Sequence, residues 1–158
     1  MSIVLVRVDD RLLHGQVMEA WFPFCRATSL IVANDEAFNN PVQKMAIQSC
    51  ASKRMEIKVR GIDESVSYVK SKDSDKEKII MIVSSLQDAM KLYSSGIRFS
   101  SLNIGNIHHN GDDMALSPSV FIDREDMDYI MRFQEAGVKI DIRGVPSDKA
   151  VKTPMDEK

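Results

Sequence analysis

An open, mostly parallel twisted α/β sheet with helices on both faces is the fold this sequence predicts. Three observations carry it. Short apolar runs rich in β-branched residues recur along the chain, with residues 3–8 and 79–83 the clearest. Segments with helical spacing separate them, and parallel strands need such crossovers on the sheet faces. The length, 158 residues, suits one domain, so residues 1–158 are read as a single unit.

The elements follow in order. Residues 3–8 read as a buried strand, and a helix is expected over 14–22, with Val17 and Trp21 on one face and Pro23 beyond its end. Residues 28–33 form a second strand. Asn40 and Pro41 then read as an N-cap and a first-turn proline, with Val42, Met45, Ala46 and Ser49 keeping helical spacing. A third strand is expected over 55–59, and Asp63 should cap a helix reaching about residue 71. The charged run 72–76 reads as a solvated turn. Residues 78–83 are the most apolar strand. Leu86, Ala89, Met90 and Tyr93 then mark a helix stopped by Gly96. Residues 101–104 are a strand, and 105–118, rich in Gly, Asn, His and Asp, read as a long functional loop. A short strand at 120–122 precedes a helix capped by Asp123, carrying Met127, Ile130, Met131 and Phe133 and closed by Gly137. Residues 138–142 are the last strand. The polar tail from about Ser147 should dock loosely or fray.

Composition narrows the function. The formal net charge is −2, which removes the basic excess of a general nucleic-acid binder. The longest apolar run, 79–83, falls far short of the roughly 20 residues that span a bilayer. The start of the chain lacks a signal peptide's basic region and cleavage site, so a cytoplasmic location is expected. Cys25 and Cys50 are too few for a disulfide scaffold and are read as buried small residues.

In an open parallel sheet the active crevice lies outside the carboxyl ends of the strands. The residues after each strand therefore matter most, and the first such loop is the richest. Between Arg7 and Val17 it gathers Arg7, Asp9, Asp10, Arg11 and His14. His14 falls where a helix should start, at the positive end of the macrodipole, which disfavours a charged ring. A carboxylate can hold one ring nitrogen and leave the other free; Asp10 is the candidate. The unpaired N–H groups of the first turn, at Gly15 and Gln16, form a ready anion site. Arg11, and Arg7 with it, add planar cations suited to phosphate oxygens. Together these residues suit a phosphoryl group carried on histidine. The bland alternative is a polar loop whose charges pair off on the surface, and the loop's position argues against it.

The run Arg-Val-Asp-Asp-Arg-Leu-Leu-His-Gly-Gln-Val, residues 7–17, resembles the signature of the IIB proteins of the mannose/fructose/sorbose family of the sugar phosphotransferase system. The segments 32–36, 41–45, 103–106 and 144–146 are similar too, in the right order. The resemblance covers nearly the whole chain. It implies an open parallel sheet and phosphorylation of His14, through Nδ1. It also implies a phosphohistidine–sugar phosphotransferase activity: a IIA phosphocarrier as donor, then transfer to a sugar, usually at carbon 6, brought by the membrane components IIC and IID. The protein would then lie at the membrane permease complex without a span of its own. Segments 32–36 and 103–108 lean towards the N-acetylgalactosamine branch, and a homodimer stays open.

Other residues are weighed beside this reading. Ser85, after the fourth strand, either touches the phosphoryl group or caps a helix. Asp35, Asn106 and His108 are placed on the rim that meets substrate and partners; Asp35 either orients Arg7 or Arg11 or caps a turn. His108 and His109 with Asp112 and Asp113 could suggest a metal site, but adjacent histidines rarely chelate one ion, so no metal or other cofactor is expected. Two rivals from other classes remain. A receiver-type signalling domain would use Asp9 and Asp10 but also needs a later strand-end Asp, which residues 58–60 and 82–84 lack. A non-catalytic small-molecule binding module would leave His14 without a reason.

Overall fold

The computed structural model describes residues 2–71, 76–109, 111 and 113–153. β1 (Ser2–Asp9), β2 (Ser29–Ala33), β3 (Glu56–Arg60), β4 (Lys78–Val83), β5 (Ser101–Asn106) and β8 (Lys139–Ile142) form one sheet in the order β3-β2-β4-β1-β5-β8. Every pairing in it is parallel. β6 (Met114–Ser117) and β7 (Val120–Ile122) form a separate antiparallel ribbon.

Strand periodicity divides the core in two. Along β4, Ile79, Met81 and Val83 face one side, with Ile31, Val6 and Leu102. Ile80 and Ile82 face the other, with Leu30 and Val32. The first face is covered by α4 (Ile62–Ser71), α5 (Leu86–Ser94) and α6 (Arg124–Glu135), through residues such as Val66, Leu92 and Phe133. The second is covered by α1 (17–24) and α2 (Asp35–Asn39), through Trp21, Phe22 and Ala37. α3 (Pro41–Gln48) lies more shallowly, with no buried residue. The chain therefore leaves β1 on one face and leaves β4 and β5, its two neighbours, on the other. That divergence opens a crevice at their carboxyl ends.

Several elements depart from expectation. α1 is a π-helical stretch, Val17–Trp21, running into a single α-turn, Phe22–Phe24, so Pro23 lies inside the helical run and not beyond its end. α2 was not expected. α4 starts at Ile62, so Asp63 lies inside its first turn; the cap is the Asp35 carboxylate, which accepts the Ile62 N–H at 2.8 Å. Within 105–118 the chain is more ordered than a loop: β5 runs on to Asn106, and β6 pairs with β7. Asn40 and Asp123 cap α3 and α6 as expected, and Gly96 and Gly137 turn with positive φ. The tail does not fray over its described part. Thr153 is buried and meets Gln134, and Val151 packs on the core. Residues 72–75 of the expected charged turn lie outside the described residues. Cys25 is half-buried and Cys50 exposed, against the expectation that both are buried.

Candidate active site

The first loop folds around Asp9, the last residue of β1, whose side chain is fully buried. Leu12 takes a left-handed backbone, φ 59°, and donates its N–H to the Asp9 carbonyl at 2.9 Å. For a residue with a Cβ this costs about 1–2 kcal/mol, offset here by burying the Leu12 side chain. The turn brings Arg11 and His14 back onto Asp9. His14 Nε2 lies 2.6 Å from Asp9 Oδ2. Arg11 Nε and its backbone N–H donate to Oδ1 at 3.1 and 3.0 Å. Arg7 donates to Oδ2 through NH2 at 3.0 Å. Burial alone would raise the Asp9 carboxyl. The His14 and Arg11 hydrogen bonds and the Arg7 charge more than reverse it, holding Asp9 well below the usual carboxylate range.

This network fixes the imidazole. With Nε2–H donating to Asp9, the lone pair sits on Nδ1, where the Gln16 backbone N–H reaches it at 3.3 Å. Arg11 NH2 stands 3.2 Å from Nε2 as a neighbouring charge, since both atoms then carry hydrogen. Val17 and Met18 both donate to the His14 carbonyl, at 3.2 and 3.3 Å, so His14 is the residue from which the helical run departs. Nδ1 therefore faces the start of a helix, where backbone N–H groups have no carbonyl one turn earlier.

The expected partner of His14 was Asp10, and that is corrected. Asp10 turns away and ties two loops together: Oδ2 accepts the His108 N–H at 2.7 Å, and Oδ1 accepts from Asn106 Nδ2. Asn106 also meets His108 Nδ1 at 3.0 Å, so both expected rim residues belong to this tie. Arg7 is corrected as well. It is fully buried and bonded to Asp9, Asn103 and the Arg143 and Gly144 carbonyls, so it braces the site from below and has no face for a phosphoryl group. Burial lowers the Arg7 guanidinium, and Asp9 works against that. Ser85 caps α5 (Leu86–Ser94), accepting the Asp88 N–H at 3.1 Å, and Asp35 caps α4. Arg11 and Gln16 both contact the His14 ring, with Gln16 Oε1 3.1 Å from Arg11 NH2, and Gly15 lies between His14 and Gln16.

Three features of the site went unread in the sequence. β1 and β5 slip register between Val8 and Asp9, so that Asp9 faces Asn106 and Gly105 is the extra residue. A Cβ on Gly105 would collide with the Arg7 guanidinium. Asn103 links Arg7 to the Asp141 carbonyl, carrying the network to β8, where Arg143 pairs with Asp141 at 2.8 Å. Trp21 donates its Nε1–H to the Gly144 carbonyl at 2.8 Å, with Arg7 and Arg143 at 5.8 and 5.6 Å from its ring centroid.

His108 and His109 face different partners. His109 Nε2 lies 2.6 Å from Asp126 Oδ2, and its ligand atom and those of Asp123 and Asp126 all lie within 4.8 Å of one another. The same two aspartates form the reciprocal capping box of α6. Asp112 of the expected cluster lies outside the described residues.

The family model described as PTS system sorbose subfamily IIB component matches residues 3–157. The chain belongs to that family. Its relatives among IIB proteins include the sorbose-specific EIIB component of Klebsiella pneumoniae, 29% identical over 96% of this chain and 92% of the relative. The N-acetylgalactosamine-specific IIB component 2 of Escherichia coli K12 is 29% identical over 95% of each chain. The crystal structure of the IIBSor domain of the Klebsiella pneumoniae sorbose permease superposes with a TM-score of 0.88 at 29% identity, covering 96% of this chain and 93% of that one. The protein is thus a IIB component of the mannose/fructose/sorbose family, with the open parallel sheet of its solved relatives. Among its described residues no helix is long and apolar enough to cross a membrane.

Proposed function

We propose that this IIB component carries a phosphoryl group on Nδ1 of His14, taken from the phosphohistidine of a IIA protein and passed to a sugar at a IIC/IID complex. The single observation that supports it best is the 2.6 Å contact of Nε2 with Asp9, which leaves the Nδ1 lone pair at a helix start. In the first step that lone pair forms the new N–P bond while the donor's N–P bond breaks, its electrons returning to the donor ring. Nε2–H stays on Asp9, whose carboxylate balances the charge the ring gains. In the second step a sugar hydroxyl forms the P–O bond, the N–P pair returns to Nδ1, and the hydroxyl proton leaves to water. Arg11, anchored on Asp9 and with its side chain 44% exposed, stands where it can meet the phosphoryl oxygens; such transfer depends mainly on positioning and charge. The work is done on the cytoplasmic face of the permease. Relatives named for sorbose and N-acetylgalactosamine support a ketose or amino sugar as substrate.

The test uses His14→Ala with IIA carrying labelled phosphate. The variant should keep its circular dichroism and take up no label. Label appearing on His108 or His109 in that variant would overturn the assignment.

A further inference from the structure

One rung of the main sheet is polar where the strand beside it is apolar. Arg7 on β1 pairs in register with Asn103 on β5, and Asn103 pairs with Asp141 on β8. Residues in register on parallel strands share a face, so the three side chains lie in a row. All three are buried, and Asn103 is only 1% exposed. On β4, the same rung continues as Ile82. Polar groups in such a place cost stability unless each is hydrogen-bonded. We propose that Asn103 is a positioning residue for the phosphoryl transfer, selecting the ring tautomer of His14 through Arg7 and Asp9. This role rests on the carrier reading above and adds to it a residue remote from the phosphoryl group on which the readiness of Nδ1 depends.

The hydrogen bonds of the row have a direction. Asn103 Oδ1 accepts from Arg7 NH1 at 2.7 Å, and Asn103 Nδ2 donates to the Asp141 and Arg143 carbonyls at 3.1 and 3.2 Å. The opposite amide orientation would set an NH2 group against the guanidinium and an oxygen against two carbonyls. The backbone of β8 thus dictates which end of the amide Arg7 meets. NH1 is held there and by the Gly144 carbonyl at 3.0 Å. The flat guanidinium then turns its other edge to Asp9, with Nε and NH2 3.3 and 3.0 Å from Oδ2. That same Oδ2 lies 2.6 Å from His14 Nε2. The Arg7 fork fixes the oxygen on which the ring hydrogen rests, and Asn103 fixes the fork. An aliphatic side chain would fill this rung as Ile82 does on β4. It would also remove the shortest contact Arg7 makes, and would leave to Arg7 alone the Arg143 carbonyl that Arg7 and Asn103 now share. Packing of the sheet does not call for an amide here; the orientation of Asp9 does.

The experiment compares two variants of the full chain. Asn103→Leu keeps the shape and removes both polar ends, whereas Asn103→Asp keeps the acceptor for Arg7. In the unloaded protein with a neutral ring, the 15N shifts of His14 report which nitrogen carries hydrogen. The native chain should show it on Nε2, Asn103→Leu a mixture of both tautomers, and Asn103→Asp the native form. With phosphorylated IIA, kcat for uptake should fall about tenfold in Asn103→Leu at unchanged KM, since a buried residue meets no partner. In Asn103→Asp it should stay near the native rate. Both variants disturb the bonds to β8, so both should lose stability to denaturant, and stability alone does not separate the readings. Native tautomer and native kcat in Asn103→Leu would overturn the role, and so would an equal loss of the tautomer in both variants. A third measurement needs no variant: loading His14 should shift the side-chain amide signals of Asn103 in the native chain, and signals that stay fixed would also overturn it. Failure of the carrier reading would show separately, as absence of label on His14 in the native chain.

Discussion

Asp9 is the residue on which the site depends, because three cation-forming side chains converge on one buried carboxylate. Asp9→Asn keeps the shape but turns an acceptor-only group into one that also donates. His14 then loses its preference for Nε2–H, and Nδ1 no longer reliably carries the lone pair. Phosphoryl uptake from IIA should fall about 10²-fold or more, measured as label incorporated per minute. Buried Arg7 also loses its counter-charge, so chemical denaturation should show a loss of about 3–5 kcal/mol. The pH dependence has a definite sign. Because Asp9 is held below its ordinary range, its contribution is fully present above the unfolded value near 3.9 and is lost as pH falls through the depressed folded value. Denaturant midpoints of the native protein should therefore drop on the acid side of about pH 4, and that limb should flatten in Asp9→Asn.

At the scale of elements, the bulge of β5 over Arg7 is the tightest fit. Gly105→Ala forces the guanidinium or the strand aside, and overpacking of this kind costs about 1–3 kcal/mol. Uptake by His14 should fall with it, since Arg7 holds Asp9; a variant of normal stability and normal uptake would show that the strand yields freely. The start of α6 gives a second expectation. The hydrogen bond to Asp126 raises His109, so its stabilising effect is complete below about pH 6.5 and fades as pH rises through the raised folded value. The Tm difference between the native chain and His109→Gln should shrink between about pH 6 and about pH 8. Much of this element structure was legible in advance. The apolar runs gave every strand of the main sheet, and Asn40, Asp123, Gly96 and Gly137 gave helix ends, because those signals are local. α2 and β6 were not legible: five and four residues are too short to show a period, and β6 was absorbed into the run 105–118, read as a loop for its Gly, Asn, His and Asp. The choice of Asp9 over Asp10 was hidden for a different reason. Adjacent aspartates look alike in sequence, and only the register slip against β5 and the left-handed turn at Leu12 decide which one meets His14.

For the whole molecule, the crevice at the carboxyl ends of β1, β4 and β5 sets where partners meet it. In the relay proposed above, IIA and the membrane complex both reach His14, so they use one surface in turn and each contact is brief. Brief encounters have small interfaces, at or below about 1,200 Å² in total, with charge steering the approach. Titration with IIA should be weak and salt-sensitive, and should shift amides around Arg11, His14, Gln16 and His108. The α4 face near Lys70 should stay silent. Arg7, expected at the phosphoryl group from the sequence, is sealed beneath the rim, so Arg7 responds through the residues it bonds, Asp9 and Gln16 among them. Perturbation confined to α4, with His14 untouched, would place the partner on the wrong face for a relay.

Trp21 is the only tryptophan in the chain, and its ring lies within reach of both arginines that brace the site. Indole emission responds to the field of nearby charges. The network that orients His14 thus also connects its charge state to a single fluorophore, through Asp9 and Arg7. On the proposed relay, loading of His14 should change the Trp21 emission, so adding phosphorylated IIA to the chain and watching that emission would follow each turn in real time without a label.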